Sequence, residues 1–168
     1  MPLLVARVLA DTGLPPSRLT LELTESILID DVDYICTELK QLVDMGVKLS
    51  IDDFGTGYSS LSYVKRMPVS VLKIDQSFVK NIVSDPSDEA IVRAIITLGR
   101  SLNLQVVAEG VETSEQAEKL RIEDCDILQG YLFAKPMGEP ELVQFLEQAN
   151  HGDRPGHTGY RRAISPAA

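Results

Sequence analysis

The sequence predicts an α/β fold in which strand–helix units repeat to build a parallel sheet with helices outside. Three observations predict it. Strand-like and helix-like runs alternate along most of the chain. Five consecutive strand-like runs each end on a polar side chain, namely Glu22, Asp52, Lys73, Glu109 and Gln129. Glycines follow the acids at Asp52-Asp53 and at Glu109, where the backbone must turn sharply. Polar groups delivered at one end of successive strands match the active-site face of a (β/α) barrel. An open doubly wound sheet concentrates its ligand contacts at a switch point instead.

Each element has its own signal. Leu3 to Thr12 repeats apolar residues at helical spacing, and Gly13 can stop that helix. Pro15-Pro16 marks a loop, and Leu19 to Leu23 alternates apolar and polar like a strand. Ile35, Leu39, Leu42 and Val43 form the stripe of a helix ending at Gly46. Val47 to Ile51 is the next strand, broken by the two aspartates and then Phe54-Gly55-Thr56-Gly57. A turn-rich segment leads to Pro68, and Val69 to Ile74 is strand-like. Ser87 can cap a helix to about Ser101 with Ile91, Ala94, Ile95 and Leu98 on one face. Gln105 to Ala108 is a short apolar strand. Thr113 and Gln116 have capping-box spacing for a helix to about Leu120. Ile127-Leu128 is a brief strand, and Pro140 opens a last helix with Leu142, Phe145 and Leu146 inward. These elements predict a folded part over residues 1–149 and, from Gly, Pro and Arg content, a disordered tail over 150–168.

Composition narrows the class. A chain of 168 residues suggests one domain, and 44% hydrophobic with 24% charged residues fits a globular protein. No apolar run reaches the ~18 residues of a membrane span, and Arg7 and Asp11 interrupt the N-terminal stretch that could otherwise pass for a signal peptide. The expected location is cytoplasmic, with Cys36 and Cys125 as buried reduced thiols. A net charge of −9 argues against a DNA or RNA duplex as partner. It leaves room for a small phosphate ligand, because a bound cation reverses the local field.

Asp52-Asp53 carries the chemistry most directly. Two adjacent carboxylates beside apolar surface need compensation, and oxygen-only ligands favour Mg²⁺, Mn²⁺ or Ca²⁺. The competing reading is a solvated turn, which Asp also favours. Glu22 shares a strand face with Thr24 and reads as a metal ligand facing Asp52, while the competing reading of the segment is an N-cap, with Thr24 or Ser26 opening a helix whose dipole Glu25 favours. Lys73 sits within an apolar strand beside Asp75. A core-facing lysine needs nearby anions, whereas an edge lysine does not. Glu109 repeats the acid-then-glycine design and can bind metal or water; Glu112 fits a helix-start acid equally well. Gln129 precedes Tyr131 and Phe133, which can flank a base or fill a core.

The strings ELTES, DDFGTGYSSL, LKIDQSFV, VVAEGVET and DILQGYLFAKPM, in this order, resemble the EAL domain, the cyclic-di-GMP phosphodiesterase family. The resemblance covers about Leu3 to Ala149. It implies a TIM-like barrel and hydrolysis of cyclic-di-GMP to the linear dinucleotide with two Mg²⁺ or Mn²⁺ ions. By resemblance, Glu22 binds the first metal, Asp52 bridges both, and Asp53 binds the second. Lys73 positions or stabilises the attacking water, and Glu109 assists at the second metal. Glu25 tethers the loop after Asp53. Asp75, Glu112 and Gln129 support loops or line the substrate side.

The chain departs from that pattern. The Glu-Ala-Leu tripeptide and the Asn-x-Ser strand, which supply metal ligands in the family, do not occur. A closed barrel needs eight strands and typically about 250 residues, and five are visible here. The expectation is therefore an incomplete barrel, lacking roughly its first three strands, with little activity alone and a tendency to dimerise or to pair with a missing N-terminal segment. Two other readings stand beside it. One is a degenerate module that binds cyclic-di-GMP or a protein. The other is a barrel enzyme of carbon-acid chemistry with Lys73 as base, which the motif order disfavours.

Overall fold

The computed structural model describes residues 1–24, 32–57 and 61–150. The order is α1 (Pro2–Thr12), β1 (Thr20–Thr24), α2 (Val32–Asp44), β2 (Lys48–Phe54), α3 (Leu61–Arg66), β3 (Val71–Ile74), α4 (Gln76–Asn81), α5 (Pro86–Ser101), β4 (Gln105–Ala108), α6 (Ser114–Ile122), β5 (Ile127–Leu128) and α7 (Glu139–Asn150). The five strands lie side by side in chain order, and every neighbouring pair is parallel. Barrel winding gives this unbroken order, whereas a doubly wound sheet reverses it at the switch point.

Alternation along the strands separates two chemistries. Neighbouring residues of a strand point to opposite faces. On one face the register sets Leu23 beside Ile51, Ile51 beside Leu72, Leu72 beside Val106 and Ile74 beside Ala108. All of these are buried under the helices. Ile74, Val79, Val92, Ile96 and Leu120 belong to one core that unites β2–β4 with α4, α5 and α6. Leu9, Leu23, Leu39, Leu42 and Leu49 form a second beneath α1 and α2. On the other face Glu22 lies beside Ser50, Thr24 beside Asp52, and Lys73 beside Val107. This face carries the polar strand ends.

Local chemistry places the helices, with some departures from the sequence expectation. Gly13 closes α1 at φ 67°, and Thr113 with Gln116 forms the expected capping box on α6. The cap of α5 is Asp85 rather than Ser87: the Ser87 amide donates to Asp85 Oδ1 at 2.8 Å, and Pro86 takes the first turn. The buried stripe of α5 is Val92, Ile95, Ile96 and Gly99, rotated from the expected one, and Ile91 is left 37% exposed. β2 runs through both aspartates instead of stopping before them. The six-residue helices α3 and α4 were not foreseen. In α7 the inward assignment fails, since Leu142, Phe145 and Leu146 are all exposed. Of the thiols, both free, Cys125 is buried, and burial pushes it up to about 12; Cys36 is only half-buried. Among the described residues no helix is long and apolar enough to cross a membrane. Residues 151–168, most of the expected tail, lie outside the described residues.

Gly99 shows how tightly α5 seats on the sheet. A Cβ there would stand 2.3 Å from Val106 Cγ2, and Val106 is fully buried. Gly99→Ala gains about 1 kcal/mol of helix propensity. Overpacking costs typically 1–3 kcal/mol, and here a rigid valine on a strand must move. The variant is expected to lose about 1 kcal/mol net in urea unfolding; a more stable variant would contradict the contact.

Candidate active site at the strand ends

The site begins with a bulge. Adjacent strand residues should face opposite ways, yet Asp52 and Asp53 do not. Ile51 pairs with Leu72 and Phe54 with Ile74, so β2 carries one extra residue against β3. Asp53 absorbs it at φ 53°, a left-handed conformation that aspartate tolerates. Phe54 thereby returns to the buried face. Both carboxylates turn to one side, and Asp52, Asp53 and Glu109 each offer an oxygen within 4.8 Å of the others.

Lys73 lies at the centre of the acids. Its Nζ stands 2.8 Å from Glu22 Oε1, 2.8 Å from Asp52 Oδ1 and 2.9 Å from Glu109 Oε1. Four strands are thus joined through one ammonium. Burial alone would lower the Lys73 pKa, but hydrogen bonds to Asp52, Glu22 and Glu109 outweigh it and hold the group above its ordinary value. The three acids thus hold Lys73 in its charged form.

The acids differ in their environments. Burial pushes the Glu109 carboxyl up, with Asp52 and Glu22 adding to the rise and Lys73 opposing it. Burial also raises Asp53, reinforced by a hydrogen bond to Asp75 and by the charges of Asp52 and Asp75. Asp75 caps α4, taking the Ser77 amide at 2.9 Å and the Ser77 hydroxyl. Burial would raise it too, but those bonds and one from Asp53 hold it below the usual carboxylate range. Of this neighbouring pair, Asp53 is the one that keeps a proton longer.

The loops after β4 and β5 close the end of the sheet. The Glu109 amide donates to the Ile74 carbonyl at 3.3 Å. Gly110 then turns at φ 69°, and a Cβ there would be 2.6 Å from Gln76 Cβ, so only glycine passes so close to α4. The Val111 amide donates to Gln129 O at 3.0 Å, and the Gln129 amide to Ala108 O at 2.9 Å. The side chains of Glu112 and Gln129 are exposed and stand outside the Lys73 cluster. Glu25 lies outside the described residues. Of the sequence-derived candidates, Glu22, Asp52, Asp53, Lys73 and Glu109 come together, with Asp75 at their border. Ser77, which fixes Asp75, was not anticipated; its signal is the Asp-x-Ser spacing of a helix cap.

The donor set fits divalent cations. Glu22, Asp52, Asp53 and Glu109 against Lys73 leave three formal negative charges (four minus one) at one spot. Among the described residues the ligand atoms gathered here are carboxylate oxygens, the preference of Mg²⁺, Mn²⁺ and Ca²⁺.

Parallel strands in barrel order, with acids gathered at their C-terminal ends, define a (β/α)-barrel protein. The EAL domain family model matches residues 1–136, and the chain belongs to that family. It is an incomplete TIM-like barrel of the EAL type, with five strands among the described residues. It is 52% identical over 139 residues to the bifunctional diguanylate cyclase/cyclic di-GMP phosphodiesterase MucR of Pseudomonas aeruginosa, covering 83% of this chain and 20% of that protein. The solved MucR phosphodiesterase in complex with c-di-GMP superposes with a TM-score of 0.79 over 82% of this chain and 56% of that one. Klebsiella pneumoniae BlrP1, solved with manganese and c-di-GMP, is 37% identical with a TM-score of 0.73, over 79% of this chain and 34% of its own. BlrP1 was also solved with calcium, so the family has a divalent-metal site. The chain spans about a fifth of the length of the curated relatives it matches.

Proposed function

We propose that this chain forms the C-terminal part of a cyclic-di-GMP phosphodiesterase domain, with residues 1–149 as the EAL part and 150–168 as a tail outside it. The observation that carries this reading is the convergence of Glu22, Asp52, Asp53 and Glu109 around Lys73 at the strand ends. Glu22, Asp52 and Asp53 would hold Mg²⁺ or Mn²⁺, with Glu109 beside them. Such cations polarise a phosphodiester and lower the pKa of bound water. Lys73 keeps its proton and donates hydrogen bonds toward oxygens at the site. Asp75 stands beside Asp53 and supports the start of α4, and Glu112 and Gln129 face the substrate side. In the overall reaction water adds to phosphorus, one P–O ester bond of the ring breaks, and the linear dinucleotide leaves.

Among the described residues one wall of this site is open. The Glu22 side chain is 51% exposed, and the sheet ends at β1 beside it. Cation and nucleotide would meet contacts from one side only. The same openness favours a second reading, a module that binds the nucleotide without turnover. The purified 168-residue chain is expected to bind cyclic-di-GMP weakly in calorimetry, only with Mn²⁺ or Mg²⁺ present, and to give little linear product by chromatography. Binding that ignores EDTA would sink the metal-site reading. The exposed Leu142, Phe145 and Leu146 and the open sheet edge predict association, as a homodimer or with further barrel strands. A monomer at high concentration in sedimentation would contradict that.

A further inference from the structure

We propose that Gln116 is a positioning residue for the acidic site: its buried amide ties the loop carrying Glu109 and Glu112 to the far end of α4, the helix that starts at Asp75. The inference rests on the reading of Glu109 as part of a cation site. Gln116 is one of the few buried polar side chains, 7% exposed. Its Oε1 accepts from the Thr113 amide at 2.9 Å, the usual capping-box bond, and also from the Glu112 amide at 2.8 Å. Its Nε2 donates to the Lys80 carbonyl at 3.2 Å, 36 residues away. A helix cap explains the first bond and not the other two.

The geometry gives the tether something to hold. α4 follows Lys73 and Asp75 directly, and the loop 109–113 follows β4. Gly110 already brings that loop against Gln76 at the start of α4. Gln116 fastens the same loop at the end of α4. The loop is thus held at both ends of the helix, and with it the backbone from which Glu109 reaches Lys73. A buried amide with both oxygen and nitrogen satisfied has one orientation, so it defines one loop position.

Gln116→Glu separates cap from tether. It keeps an acceptor for both amides and loses the donor to Lys80. Its added negative charge would by itself strengthen cation binding, so weaker binding can only reflect lost position. In the full chain, Mn²⁺ titration followed by electron paramagnetic resonance is expected to give about tenfold weaker affinity, the low end of what losing an outer partner does. The melting temperature should fall, since a buried carboxylate oxygen then faces the Lys80 carbonyl, and hydrogen exchange should quicken at the amides of Glu109 and Val111. Unchanged Mn²⁺ affinity, or unchanged exchange at those amides, overturns the proposal. If the variant does not fold, exchange in the parent decides: the Glu112 and Thr113 amides should open together with the end of α4, and exchange at free-loop rates overturns the tether. A parent chain that binds no Mn²⁺ overturns the metal reading itself, which is a different failure, seen without any variant.

Discussion

Lys73→Met is expected to cost the metal-free chain about 2–3 kcal/mol of stability at pH 7, below the ~3–5 kcal/mol of fully buried pairs. The reduction follows from exposure, since Glu22 is half exposed while Lys73 is only 8% exposed. Removing the ammonium leaves Glu22, Asp52 and Glu109 facing one another with no counter-charge. The pH dependence gives the sign. Glu109 is already raised by burial and loses in the variant the ammonium that opposes the rise, so its contribution is present at low pH and lost as pH rises. The deficit should therefore be small near pH 4 and grow toward pH 7. In the parent, Lys73 is raised above 10.5, so its stabilisation is complete at neutral pH and is lost only above that value. Mn²⁺ should restore much of the variant's melting temperature, because a cation takes the place of the ammonium. Urea unfolding at pH 4 and pH 7, with EDTA or Mn²⁺, checks each point. A deficit that is the same at both pH values would mean Lys73 acts through packing alone.

Much of this arrangement could be read from the chain. Leu72-Lys73-Ile74 sets a lysine inside an apolar strand, where it meets acids if it faces the core and needs none if the strand is an edge. The strand ends at Glu22, Asp52 and Glu109 then name the acids. The bulge at Asp52-Asp53 could not be read, because a one-residue register shift depends on how β2 pairs with β3. Period-two reasoning alone sends Asp53 away from the site. The short helices α3 and α4 are each six residues, too brief for a helical period to emerge from the sequence. Asp85 was missed as a cap although Asp-Pro is a strong start signal; Ser87 has the same chemistry two residues later. In α7 the periodicity correctly finds an apolar stripe at Leu142, Phe145 and Leu146. Periodicity identifies such a face and says nothing of what covers it, so the inward assignment had no physical basis.

Asp52→Asn and Asp53→Asn are expected to weaken Mn²⁺ binding alike and to move stability in opposite directions. Each removes a carboxylate oxygen from the cluster of Asp52, Asp53 and Glu109. Loss of a ligand should exceed the ~10–100-fold effect of losing an outer partner. In a complete EAL barrel, hydrolysis should fall by at least about 100-fold, as when one stabilising group leaves a charged transition state. Stability separates the two. Asp52 is held at 2.8 Å by Lys73, and the amide forfeits that ion pair, so the metal-free protein weakens. Asp53 instead has a raised pKa, from burial first and then from Asp75 and Asp52. A raised carboxyl contributes stability below its unfolded value of 3.8 and loses it as pH rises, so at neutral pH its ionised form opposes folding. Asparagine removes that penalty, tolerates φ 53°, and can still donate to Asp75. Asp53 is exposed and its shift is screened by solvent, so Asp53→Asn should melt only slightly higher than the parent at pH 7 without metal, with the gain shrinking toward pH 3. A residue that destabilises the empty protein while supplying a ligand fits a site shaped for a cation rather than for the fold. Should Asp53→Asn melt lower than the parent at pH 7, the acid would be a structural part of the bulge, and its place among the metal ligands would lose this support.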